Sequence, residues 1–443
     1  MEIKGLIIFI CVIHFTRATL YAPITARPVS LVPRVSPTNS KASTGVSISS
    51  LLGCPELAYN VKSFVGNQTI ELLVDTGSST TGVAGVNCSS CNTSHYYNPS
   101  LSQSSVILGT QVLAEYQDGS QWSGKAVSDS FALMGISIPA FAFGMITAQS
   151  NFFATSTCVV GSASTTSLSD GIMGMAYPPL LEPGTQSIMD RFFVDEALQE
   201  NIFSLYMCFT NHGELTVGGL NTSVVTNTSL IAWAPCLGPS TFFFIGIFAI
   251  QVGNTGPMWT VSGLRKGSSM PFIVDSGTTV TILPASLYQS LVLKFTQNPD
   301  WPSVFDMTFF LSGECVRMPP TTNETWLNAR LPTINFYFDG FMMPLLATRL
   351  LLFRIDLVDN STCYASGIAP SSSNEYILGL STLTQYLTIF DLDTAYIGFY
   401  DDPGPVCRTG LHLTATSDAT PSIDYARTVF FIAFAMVCLF AFT

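Results

Sequence analysis

The chain has 443 residues, of which 47% are hydrophobic, 12% aromatic and only 10% charged, and its mean hydropathy is +0.40. It can bury a large core, and length and composition exclude a disordered protein and suggest two or three domains. A net charge of −12 and a pI near 4.6 exclude a nucleic-acid-binding surface, because no basic footprint exists to neutralise phosphates; the acidity fits work at low pH as well as it fits an ordinary acidic extracellular surface.

Residues 1–22 read as a secretory signal: Lys4 supplies the positive end, and the apolar run Gly5–Phe15 is too short to span a bilayer. Cleavage fits after Ala18 or after Ala22. Residues 23–50 are rich in Pro, Ser and Thr with Arg27, Arg34 and Lys41 spaced through them, which suits a flexible spacer or a short propeptide whose cations cover an acidic cleft. Seven Asn-x-Ser/Thr sequons (Asn67, Asn87, Asn92, Asn221, Asn227, Asn323 and Asn360) imply a glycosylated secretory protein, while Asn98 is blocked by Pro99.

From Leu52 onward short apolar or alternating runs are punctuated by Gly, Asn, Ser and Pro. Strands are predicted at Ala126–Phe131, Ala140–Met145, Phe203–Phe209, Phe242–Val252 and Ile334–Phe338. Helices are predicted chiefly at Ser187–Gln199 and Ala285–Phe295, so the protein is mostly β.

Within this pattern one element occurs twice. Ile70-Glu71-Leu72-Leu73-Val74 delivers Asp75 into Thr76-Gly77-Ser78-Ser79, and Phe272-Ile273-Val274 delivers Asp275 into Ser276-Gly277-Thr278-Thr279. Each copy is followed by an apolar-Gly element, Ile172-Met173-Gly174 in one case and Ile377-Leu378-Gly379 in the other. Asp75 to Ile172 spans 97 residues and Asp275 to Ile377 spans 102. The repeat predicts two β-rich lobes about a pseudo-two-fold axis, with both aspartates in the cleft between them. The boundaries expected are 51–220 for the first lobe and 221–407 for the second. Residues 408–427 would form a polar stalk, and 428–443 an apolar end that, after the small residues Ser417, Asp418 and Ala419, matches a GPI-attachment signal. A retained membrane tail is the other reading of an apolar end this short. Either of these attaches the protein to a membrane, and an apolar end that does neither is the third reading.

Two carboxylates in hydrogen-bonding contact cannot both ionise, so they share a proton over a wide pH range and can hold a water between them. One member then takes a proton from the water while the other protonates the carbonyl under attack. Gly77 and Gly277 let backbone amides approach the carboxylates, the Ser78 and Thr278 hydroxyls can donate to them, and Thr76 and Ser276 can bond across to the opposite loop.

These motifs make the chain resemble the pepsin-like aspartic proteases, over nearly everything from Leu52 to Cys407. The resemblance implies a bilobal fold, polypeptide substrates, no cofactor or metal, and a monomer. It implies Asp75 and Asp275 as the catalytic pair and Tyr116, in the segment 115–124, as the tyrosine of a β-hairpin flap over the cleft. The 170–177 segment Asp-Gly-Ile-Met-Gly-Met-Ala-Tyr also fits the family pattern. Asp275–Thr279 followed by Leu283-Pro284, and Gly82 where many pepsins have Trp, resemble the membrane-anchored β-secretase branch, and with it a Cys315–Cys363 disulfide is implied. Gln117, in place of the usual small residue after the flap Tyr, and Gly82, which removes a common partner of the Tyr hydroxyl, depart from the family pattern in ways expected to loosen the flap or shift pocket preference, and Leu380 stands where many members have a polar residue.

Other readings compete. A silent pepsin-shaped binding protein would have lost an aspartate, and both are present. A glycosidase needs carboxylates ~5–10 Å apart in asymmetric roles, not two copies of one turn. His95, His212 and His412 form no His-Glu-x-x-His run, and no Gly-x-Ser-x-Gly elbow exists. Of eleven cysteines nine lie in the body, so one is left over. Cys88 and Cys91 suit a small local disulfide better than zinc, for which no second ligand pair stands out. Cys208, Cys236 and Cys407 are candidates for a bond tying down the C-terminus, and the pairing of Cys54 and Cys158 stays open.

Overall fold

The computed structural model describes residues 47–52, 58–153, 158–160, 163–165, 169–195, 198, 200–207, 213–238, 241–253, 258–260, 268–301, 305, 309–312, 316–317, 324–356, 362–401 and 414–415. The signal, most of the Pro/Ser/Thr-rich stretch and the C-terminal tail lie outside the described residues. Among the described residues no helix is long and apolar enough to cross a membrane.

The protein is mostly β, in two β-rich halves. The larger sheet has thirteen strands and runs from Ala232–Pro235 through Tyr396–Tyr400, Leu387–Asp391, Ile202–Met207, Gly213–Val217, Ser47–Leu52, Asn60–Val65 and Gln68–Asp75. It continues through Gly171–Gly174, Gly82–Ala84, Ile136–Ser150 and Gln121–Leu133 to Val106–Glu115. A five-stranded sheet orders Phe244–Ile247, Met270–Val274, Tyr376–Leu378, Thr281–Pro284 and Ile368–Ser371. Pairing begins at Ser47, whose strand is hydrogen-bonded on both sides, to Gly213–Val217 and to Asn60–Val65.

Both aspartate strands are interior strands, paired on both sides, for the same reason. Ile70, Leu72 and Val74 are buried on one face of the first strand, and Phe272, Ile273 and Val274 are buried in the second. Burial of such side chains stabilises by roughly 1.5–3 kcal/mol each, so the strands that end in a carboxylate are among the most firmly held. Each pairs in parallel with its apolar-Gly strand: Gly174 lies opposite Asp75, and Leu378 opposite Val274. Each apolar-Gly strand pairs on its other side, antiparallel, with the strand that follows the aspartate turn, Ile172 opposite Gly82 and Ile377 opposite Ile282. The sequence repeat is therefore a repeat of three-strand topology.

The helix Ala285–Thr296 buries Leu287, Leu291 and Phe295, the i, i+4, i+8 face of a helix packed on the second half. The other predicted helix is observed at Ile188–Asp195. The run Phe242–Val252 is two strands, Phe244–Ile247 and Ala249–Val252. Phe248 between them donates its amide to Tyr337, and the two strands serve different sheets. The halves meet through aromatics, Phe203 stacked on Phe390 at 4.4 Å and Tyr177 against Phe243 at 4.8 Å.

Candidate active site

Strand ends and cross-bonds fix the two aspartate turns. The Thr76 hydroxyl donates to the Val274 carbonyl (2.8 Å) and accepts from the Ser276 amide (2.9 Å). The Ser276 hydroxyl donates to the Val74 carbonyl (2.7 Å) and accepts from the Thr76 amide (3.1 Å). Both residues are essentially inaccessible to water, so these four bonds satisfy groups that would be costly to leave unpaired. They pin one half to the other at the base of the site.

Each carboxylate is then held by its own loop. The Gly77 amide donates to Asp75 Oδ1 at 2.8 Å and the Ser78 hydroxyl to Asp75 Oδ2. The Gly277 amide donates to Asp275 Oδ1 at 2.7 Å and the Thr278 hydroxyl to Asp275 Oδ2 at 2.6 Å. The approach across the axis is closer still: a Cβ on Gly77 would lie 2.5 Å from the Asp275 carboxylate, and one on Gly277 2.3 Å from Asp75 Oδ1. Only glycine leaves room at these two positions for the facing acid.

Asp75 is 4% exposed and Asp275 9%, and each carboxyl group lies against the glycine of the opposite turn. Burial first, then the facing Asp275 charge, hold the Asp75 carboxyl well above the usual carboxylate range, against the Ser78 and Gly77 donors. Such a pair retains one proton where an isolated aspartate would have lost it.

The hairpin of Val106–Glu115 and Gln121–Leu133 carries the turn 116–120, closed by Tyr116 amide to Ser120 carbonyl (2.9 Å) and Gly119 amide to Tyr116 carbonyl (3.0 Å). The Tyr116 ring stacks on Phe152 at 5.3 Å. Burial, followed by the Asp75 charge, raises its phenol above the ordinary range, with the Trp122 and Ser78 donors opposing. Glu182, whose amide donates to the Thr80 hydroxyl at 2.8 Å, is held above the usual carboxylate range by partial burial and by the charge of Glu115.

Gly82 was expected to leave the flap tyrosine without a partner. Instead Trp122, on the flap strand itself, donates its indole N–H to the Tyr116 hydroxyl at 3.0 Å. The indole occupies the space beside Gly82, where a Cβ would lie 2.7 Å from its ring. The missing side chain at position 82 is what lets the flap bring its own donor. Leu380 is fully buried and its amide donates to the Thr278 carbonyl, so it braces the second turn from behind.

Cys88 and Cys91 form a disulfide, packed with Trp122, Val112 and Phe153 under the flap root. Cys363 is disulfide-bonded, and Cys315 lies outside the described residues. Cys236, a candidate for a bond to the C-terminus, is a free buried thiol pushed up to about 12 by burial; Cys54, Cys208 and Cys407 lie outside the described residues. His95 Nδ1 is 2.8 Å from Asp170, which also accepts from the Glu71 amide at 2.9 Å, so this histidine ties the loop to the strand beside Asp75.

Fold and turns together define a pepsin-like architecture. The chain belongs to the eukaryotic aspartyl protease family, whose pattern matches residues 59–401, and it is an aspartic-type endopeptidase. It is 26% identical over 340 residues to gastricsin of Cavia porcellus, covering 75% of this chain and 76% of that protein. It is 28% identical over 345 residues to gastricsin of Callithrix jacchus and 27% identical over 345 residues to that of Homo sapiens, covering 75% of this chain and 78% of each.

Proposed function

We propose that Asp75 and Asp275 share one proton and activate one water to hydrolyse a peptide bond of an extended polypeptide lying between the halves beneath Tyr116. The observation that carries this reading is a pair of buried carboxyl groups, each pressed against the facing glycine turn, on turns locked to each other by Thr76 and Ser276. The ionised member takes a proton from the water as its oxygen attacks the carbonyl carbon. The protonated member gives its proton to the carbonyl oxygen, forming a neutral tetrahedral diol. The protonated member then gives its proton to the nitrogen while the other takes a proton from a diol hydroxyl, and the C–N bond breaks to leave an acid and an amine with the pair again singly protonated. Gly77, Ser78, Gly277 and Thr278 keep the carboxylates oriented, and the flap keeps bulk water out.

The pair works while it holds one proton, which favours acidic pH. Digestion of an unfolded protein at pH ~3–6, a range in which such a pair shares a proton, tests the reading. Asp75→Asn is expected to abolish digestion. Equal digestion by wild type and variant would overturn the reading, no digestion by the wild type would leave a pepsin-shaped binding protein instead, and sensitivity to pepstatin separates this class from serine and metallo mechanisms.

The same reading places the protein in the secretory pathway, as a monomer held at a membrane by its C-terminal end. In support, the sequon residues Asn67, Asn87, Asn92 and Asn227 are all exposed. Release from cells by a phosphatidylinositol-specific phospholipase is expected for a GPI anchor; no release favours a retained membrane tail. Gly82 and Leu283-Pro284 support a likeness to the β-secretase branch, without carrying over its substrate.

A further inference from the structure

The flap does not end over the first aspartate. Its turn reaches the other half of the molecule, where Gln117 Nε2 donates to Glu375 Oε1 at 2.8 Å. The acceptor is prepared for this contact. The second oxygen of Glu375 accepts from the Ser373 hydroxyl at 2.7 Å, and the Glu375 amide is tied to Ser371 Oγ at 2.9 Å. Ser371 Oγ also accepts from the Ser373 amide at 3.1 Å, and Asn374 takes the left-handed backbone (φ 64°) that folds the loop back on itself. On the flap side, Asp118 Oδ1 accepts from the Ser120 amide at 2.8 Å and sets the shape of the turn.

Both partners sit one residue from parts of the site. Gln117 follows Tyr116 directly. Glu375 precedes Tyr376, which pairs with Phe272 in the strand leading to Asp275, and the Asp275 amide donates to Leu378 of that same strand. The bond thus closes a ring: Asp75 turn, flap, Gln117, Glu375, the strand beside Asp275, and back through the Thr76 and Ser276 cross-bonds.

We infer that Gln117 and Glu375 are positioning residues, forming a latch that fastens the flap to the opposite half and holds Tyr116 closed over the aspartate pair during peptide hydrolysis. This rests on the hydrolytic reading of Asp75 and Asp275 given above. A closed flap excludes water and fixes the substrate carbonyl, so a latch on its tip acts after substrate has bound. A single hydrogen bond to a carboxylate, exposed to solvent, contributes enough to change the closed fraction several-fold and too little to affect folding. Gln117 is the residue at which the flap departs from the common family pattern, and the latch gives that departure a role: the amide spans a gap that a small side chain would leave open.

The test measures kcat and KM of the full-length protein on a peptide substrate at pH ~4, inside the range in which the pair shares its proton. Gln117→Ala, Glu375→Ala, the double variant, Glu375→Gln and the control Asp75→Asn are compared, with melting temperatures and hydrogen exchange of residues 116–120. Each alanine variant is expected to lose about five- to tenfold in kcat/KM, mostly in kcat, with faster exchange in the turn and an unchanged melting temperature. The double variant should lose no more than either single, because both remove one interaction. Glu375→Gln keeps an acceptor oxygen and should recover most of the loss. Wild-type kcat in the alanine variants, or losses that multiply in the double variant, would overturn the latch while an inactive Asp75→Asn leaves the hydrolytic reading standing. A fully active Asp75→Asn would remove both.

Discussion

The two halves carry the same aspartate turn on the same three strands, yet only the first is roofed by the flap. At the base of the site the correspondence is nearly atom for atom: glycine amide to Oδ1, hydroxyl to Oδ2, hydroxyl to the opposite carbonyl. Above it the halves diverge. After Gly82–Ala84 the first half builds the disulfide loop and the flap, whereas after Thr281–Pro284 the second goes directly into the helix Ala285–Thr296. Asp75 is the more deeply buried acid, and its charge acts on the Tyr116 phenol. Repetition makes the pair of carboxylates, and the unrepeated hairpin gives the pair a covered side. A symmetric pair needs such a difference if one member is to act on water and the other on the carbonyl in a fixed orientation.

Substitutions at matched positions break or sharpen this comparison. The largest effect is expected where the halves are most alike. Gly77→Ala and Gly277→Ala each drive a methyl into the facing carboxylate, so both should lower kcat by at least about 100-fold, the scale on which a small misplacement of reacting groups acts. Retained activity in one of them would show that the closeness is not symmetric.

An intermediate effect is expected from Trp122→Phe, which touches only the roofed half. It removes the donor to the Tyr116 hydroxyl, worth about 1 kcal/mol, and should lower kcat/KM about fivefold without moving the pH optimum. A shifted pH optimum would mean that the flap tunes the acids and does not merely cover them.

The smallest effect lies in stability. The folded-state pKa of Asp75 is raised, so its proton favours the folded protein fully below the unfolded value of about 3.9 and that contribution is lost as pH rises through the folded pKa. Asp75→Asn carries no such dependence. Its melting temperature should therefore match wild type near pH 3 and exceed it increasingly towards pH 7; a constant difference would contradict the raised pKa.

What was legible in the sequence follows the same division. The aspartate turns, their apolar strands and the apolar-Gly partners were readable because each is a short local pattern and occurs twice. The predicted cross-bonding of Thr76 and Ser276 needed only the two-fold repeat. The Trp122 partner of Tyr116 was hidden because position 82 was read for what it lacks, when its Gly marks the space another side chain fills. Gln117 and Glu375 are 258 residues apart and carry no motif, so only the packed halves bring them together. Ser47–Leu52 pairs because vacant edges on two neighbouring strands accept it, a property of those strands more than of its own mixed Ser and Leu pattern. The break at Phe248 arises because two sheets compete for one apolar run.

The central claim is that Asp75 and Asp275 act as one unit. Its most direct test is kcat/KM for peptide hydrolysis at pH ~4 by wild type, Asp75→Asn, Asp275→Asn and the double variant, in the range where the pair holds one proton. Each single variant should fall by about 10³-fold or more, and the double variant should fall no further, as groups that work together behave. Near-wild-type hydrolysis by either single variant, or losses that multiply in the double, would contradict it.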